Sequence, residues 1–87
     1  MASVALPLLL KDITGGDRQV EVEGRTLAEI VTALEELYPG LEARVHRDGR
    51  MSPTLAFVID GTIAAQGLQS PVAPDSQINV LPSFGGG

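Results

Sequence analysis

Few side chains in this chain are of a type and spacing that could do chemistry. The single histidine, His46, lies near Asp48 and Ser52, which together have the residue types of a base, an orienting acid and a nucleophile. All three fall within one short polar stretch, whereas the members of such a triad are normally held by separate rigid elements. A solvated loop histidine is the expectation. Glu35, Glu36 and Glu42 offer carboxylates for acid–base work, but neighbouring glutamates on the polar face of a helix are ordinarily solvated charge. Gly15-Gly16 follows an apolar run, yet it opens no helix and lacks the Lys-Ser/Thr of a phosphate loop, so a turn suffices. The chain has no cysteine, which excludes a disulfide scaffold, a thiolate metal site and a cysteine nucleophile at once.

The last residues differ in kind. Gly85, Gly86 and Gly87 follow an apolar segment and carry no side chains, so the functional group they can offer is the carboxylate of Gly87. A carboxylate is a poor electrophile until it is activated, for instance by adenylation; it can then become a thiocarboxylate or an amide. Without a Cβ, glycine backbone also passes through channels too narrow for other residues. The five residues from Ser83 to Gly87 reach about 16–18 Å when extended.

The body that must carry this tail is small. Eighty-seven residues suffice for one domain with a compact core, and 44% hydrophobic with 20% charged residues is an ordinary globular composition. A net charge of -5 opposes a phosphate backbone and argues against nucleic acid, while it suits a cationic partner surface. The apolar stretch Val4 to Leu10 has no positive flank, is broken by Pro7, and is too short to span a bilayer, so no membrane and a cytoplasmic location are expected.

Val4, Leu6, Leu8 and Leu10 alternate as in a strand with one face in the core, bulged or cut short at Pro7. Thr14-Gly15-Gly16-Asp17 reads as a turn into a second alternating run, Val20 to Glu23, giving a β-hairpin. Thr26-Leu27-Ala28-Glu29 fits a capping box, with the Glu29 side chain returning to the Thr26 amide. Leu27, Ile30, Val31, Leu34, Leu37 and Tyr38 follow at helical spacing until Pro39-Gly40 stops the helix. Leu41 to Pro53 suggests a short helical turn running into an exposed loop. Leu55 to Ile59, the hairpin signal Asp60-Gly61 and Thr62 to Ala64 form the next strand pair. Gln66 to Asp75 is expected to be irregular, and Gln77 to Leu81 is the last strand. The order predicts an α+β, β-grasp mixed sheet of four to five strands with one main helix across one face. Residues 1–82 form that domain and 83–87 a flexible glycine-rich tail.

With Leu81-Pro82 shortly before the terminal Gly-Gly, this order resembles the ThiS/MoaD group of ubiquitin-like sulfur carrier proteins. Leu6-Pro7-Leu8-Leu9-Leu10-Lys11 before Thr14-Gly15-Gly16, Leu37-Tyr38-Pro39-Gly40-Leu41, Phe57-Val58-Ile59-Asp60-Gly61 and Ile78-Asn79-Val80-Leu81-Pro82 are similar to its CysO and MoaD-like branch. The resemblance implies a carrier, not an enzyme. An E1-like activating enzyme of the MoeB/ThiF type would use ATP to adenylate Gly87, and sulfur transfer would give a thiocarboxylate. It implies no permanently bound cofactor and no metal. Implied acceptors are a pyridoxal-phosphate-dependent cysteine synthase or a thiosugar synthase, with a metalloprotease releasing the product. A molybdopterin synthase small subunit, or a modifier conjugated through Gly87, are the alternatives. Gly85, Gly86 and Gly87 would thread into the partner. Strand parity places Leu81 opposite Ile78 and Val80, so Leu81, Pro82 and Phe84 are candidate docking residues at the tail root.

Overall fold

A computed structural model describes residues 1–47, 50–51, 55–64 and 66–82. Its elements are β1 (Ala2–Ala5), α1 (Lys11–Thr14), β2 (Gln19–Val22), α2 (Leu27–Leu37), α3 (Leu41–Val45), β3 (His46–Arg47), β4 (Arg50–Met51), β5 (Leu55–Ile59), β6 (Thr62–Ile63) and β7 (Gln77–Pro82), with 3-10 turns at Leu8–Leu10 and Gly67–Gln69. The main sheet has five strands in the order β2-β1-β7-β5-β6. β1 pairs antiparallel with β2 and parallel with β7, while β5 runs antiparallel to β7 and to β6. This is the expected β-grasp arrangement, with the last strand returning beside the first.

The core follows from alternation on the strands and the helical stripe on α2. Val4, Val22, Phe57, Ile78 and Val80 point inward from the sheet and meet Leu27, Ile30, Val31 and Leu34. Leu37 stands apart from this stripe, 53% exposed at the last helical position. Leu41 and Val45 of α3 are also buried, so the short helical turn contributes to the core as well. After α3 the chain forms the small ladder β3–β4, where the sequence suggested only loop; the residues between its strands lie outside those described.

The first strand is shorter than its sequence alternation. β1 ends at Ala5 and Pro7 leads into the 3-10 turn and α1, because proline donates no ladder hydrogen bond. Once the backbone turns helical, the period of two no longer applies. Leu6 and Leu10 remain buried, but Leu8 is 67% exposed. Thr14-Gly15-Gly16 is therefore not a hairpin turn. Gly15 caps α1, donating its amide to the Lys11 carbonyl at 2.9 Å.

Helix α2 starts as its sequence signal requires, with one change of partner. The Glu29 amide donates to Thr26 Oγ1 at 3.3 Å, but Glu29 Oε1 accepts from the Arg25 amide at 2.9 Å rather than from Thr26. Just upstream, a Cβ on Gly24 would lie 2.9 Å from the Ile30 amide nitrogen and 3.0 Å from Glu29 Cβ. Only glycine lets the β2 exit approach the first turn of α2 this closely. Gly24→Ala is expected to destabilise the domain by about 1–3 kcal/mol through overpacking, read as a lower urea midpoint at unchanged slope.

Asp60-Gly61 makes the two-residue turn between β5 and β6, with φ of 51° and 83°, as the mirror-image type I turn of a hairpin requires. Asp60 Oδ1 accepts from the Gln77 amide at 2.8 Å and Oδ2 from the Ser76 hydroxyl at 2.7 Å. These two bonds hold its carboxyl below the usual range, the Gln77 amide having the larger effect. Glu35 is lowered in the same way by the amides of Glu42 and Gly40. Ionised carboxylates are what these amides prefer, so both contributions are complete above the unfolded values near pH 4 and are lost as the pH falls through the lower folded values. Asp60→Asn should flatten that acid limb in a plot of urea midpoint against pH.

Candidate functional site

Because β1 and β7 are parallel, the chain leaves both strands at the same end of the sheet. The start of β5 joins them there, since Leu55 pairs with Pro82. The C-terminus of α2 reaches that end too, where the Tyr38 hydroxyl donates to Asp17 Oδ2 at 2.8 Å just before β2. The body thus presents one face of loops and strand ends around the point where residues 83–87 begin. Gly85, Gly86, Gly87 and Phe84 lie outside the described residues.

The tail root has the predicted parity. Ile78 and Val80 are buried, while Leu81 is 46% exposed and Pro82 is exposed. Leu81 faces Ala56 across the β7–β5 ladder, and the next row on the same face joins Asn79, Val58 and Ile63. Ala56 and Val58 are half-buried and Ile63 is exposed. The uncovered face of the sheet therefore carries an apolar strip beside the tail, broader than Leu81 alone. Ile63 is the member that sequence reasoning missed, although its signal was present: a two-residue turn after Ile59 places it level with Val58.

The described members of the side-chain sets weighed for catalysis make local contacts. His46 Nε2 lies 3.4 Å from Glu42 Oε2, while Asp48 and Ser52 are outside the described residues. Glu35 is not free charge: its two oxygens accept from the Gly40 and Glu42 amides at 2.9 and 2.8 Å and pin the corner between α2 and α3. Among the described residues no group of three or more His, Cys, Asp or Glu is placed to hold a metal ion. A surface hollow of about 740 Å³ is lined by Met1, Glu23, Arg25 and Pro74, at the end of the sheet remote from the tail.

The model of the ThiS family matches residues 4–87. The chain belongs to the ThiS family. As a ThiS-family member it is a sulfur carrier protein of the ThiS, MoaD and CysO kind, a cosubstrate of other enzymes and not one itself. Among its relatives is the sulfur carrier protein CysO of Mycobacterium tuberculosis, 28% identical over 90 residues that cover 98% of this chain and 97% of that protein. A chain of the Amycolatopsis orientalis BexX/CysO complex superposes with a TM-score of 0.91 at 26% identity, all of each chain being covered. Small archaeal modifier protein 1 of Haloferax volcanii is 28% identical with a TM-score of 0.74, covering 99% of this chain and 98% of that one. Among the described residues, no helix of this ThiS-family chain is long and apolar enough to cross a membrane.

Proposed function

We propose that this ThiS-family chain carries sulfur as a thiocarboxylate on Gly87, for cysteine or a related sulfur metabolite such as a thiosugar. The observation that carries this is the family match running through Gly85, Gly86 and Gly87. Residues 1–82 act as the handle and 83–87 as the arm. The Gly87 carboxylate attacks the α-phosphate of ATP in a MoeB/ThiF-type activating enzyme, and pyrophosphate leaves. Sulfide then attacks the acyl carbon, AMP leaves, and one carboxylate oxygen has been exchanged for sulfur. With no cysteine in the chain, sulfur is not held as a side-chain persulfide and the terminal carboxyl is its carrier.

Similarity to CysO over nearly the whole chain favours a pyridoxal-phosphate-dependent cysteine synthase as acceptor, with a metalloprotease releasing the product. The likeness to a CysO in complex with BexX supports delivery by protein–protein docking, a thiosugar synthase being the other acceptor class. A second reading is a protein modifier joined through Gly87 to lysines of other proteins, favoured by the 28% identity to small archaeal modifier protein 1. Intact-mass measurement after incubation with ATP, sulfide and the host's activating enzyme separates the two. Exchange of one oxygen for sulfur supports the carrier; high-mass adducts on other proteins support the modifier. An unchanged terminus overturns both.

A further inference from the structure

Leu8 and Leu9 stand on the surface, 67% and 49% exposed, although neither belongs to the sheet face beside Leu81. They form a knuckle on the 3-10 turn Leu8–Leu10, closed by the Leu10 amide donating to the Pro7 carbonyl at 3.1 Å. Arg44 of α3 braces its far side: Nη1 donates to Asp12 Oδ2 at 2.9 Å and Nη2 to the Leu9 carbonyl at 3.5 Å. Two adjacent leucines left in water on a braced turn form an apolar surface that the core does not use.

Position places it against an enzyme that takes the tail. The knuckle follows β1, and β1 is parallel and adjacent to β7, so it flanks the tail exit on one side while Leu81 and Ala56 flank it across the sheet face. The five residues beyond Pro82 span at most about 18 Å. Any enzyme that acts on the Gly87 carboxylate inside its own active site must therefore bring its entrance against this end of the body. We propose that the Leu8–Leu9 knuckle is a docking element for the activating enzyme that receives the tail, seated in an apolar recess beside that enzyme's tail channel. This rests on the proposed activation of Gly87.

The test is ATP–pyrophosphate exchange by the host's activating enzyme, with the full chain as variable substrate. Leu8→Gln/Leu9→Gln should raise the KM for the carrier by about tenfold or more with kcat little changed, as loss of an apolar interface anchor does. Leu8→Met/Leu9→Met should restore it. An unchanged KM overturns the knuckle while leaving Gly87 activation intact, whereas no exchange with the wild-type chain overturns the activation itself. A concentration-dependent dimer abolished by the double substitution would assign the knuckle to self-association and overturn the proposal. If the double variant has a lowered thermal midpoint, Leu8→Gln and Leu9→Gln are measured singly. At least one must raise KM at an unchanged midpoint, and failure of both to do so overturns the proposal.

Discussion

Deletion of Gly87 is expected to abolish thiocarboxylate formation while leaving the fold untouched. Activation requires a carboxylate placed at the α-phosphate of ATP, and a chain one residue short falls back by about 3.3–3.6 Å. In-line attack tolerates far less: a misplacement of about 1 Å already lowers rates roughly a hundredfold. The shortened chain still ends in a glycine carboxylate, so its failure would show that reach is what matters and not the presence of a carboxyl group. A single alanine appended after Gly87 tests the same geometry from the other side, because its Cβ must enter a channel that glycine backbone passes freely. Intact mass after incubation with ATP, sulfide and the activating enzyme is the measurement. The expected result is full conversion of the wild type, none of either variant, and identical urea midpoints for all three. Conversion of the shortened chain at the wild-type rate would remove Gly87 from the mechanism.

Phe57→Ala should have the opposite profile, a large loss of stability with the terminus chemically intact. Phe57 is 2% exposed and sits in the middle of β5, opposite Val80 of β7. Truncating a buried phenylalanine costs about 3–5 kcal/mol, from lost transfer free energy and the cavity left behind. A domain of this length has only roughly 4–13 kcal/mol in total, so about a quarter of it at the least would be consumed. The expected fall in Tm is at least about 12 °C, with a lower urea midpoint and an unchanged m-value. A loss below about 1 kcal/mol would mean that the sheet and α2 close over the vacated space, contrary to the close packing of such interiors. Because β5 supports β7 along its whole length, carrier activity should decline in step with the folded fraction.

Much of the body was legible because its signals are local. The Thr26 to Glu29 cap, the stripe from Leu27 to Leu34 and the Asp60-Gly61 turn each depend on residues within a few positions of one another. Local backbone chemistry sets their geometry wherever they occur in a protein. Even the exposure of Leu81 followed from alternation with Ile78 and Val80. Leu8 did not follow, because the alternating pattern continues through Pro7 whereas the hydrogen-bond ladder does not. Leu37 fits the helical spacing, yet at the last helical position it is left exposed. Glu35 looked like solvated charge, and its role emerged only when α3 folded back to offer two amides. At the other end of α2, Glu29 accepts from Arg25, one residue earlier than the motif implies.

The proposed chemistry, by contrast, is read from the sequence alone. Gly85, Gly86 and Gly87, the lack of cysteine and the resemblance of the whole chain to sulfur carriers all point to the proposed activation at Gly87, a reading that needs no coordinates. What only the tertiary structure decided is what surrounds the exit of that tail. Parallel pairing of β1 with β7 joins segments more than seventy residues apart in the chain, and it brings Leu8 and Leu9 to the side of the strand that ends at Pro82. Periodicity reports which face of an element is apolar, but which elements become neighbours is settled by burial of those faces against one another. The proposed docking surface, drawn from the turn after β1 and from β7, therefore forms only once the core has closed.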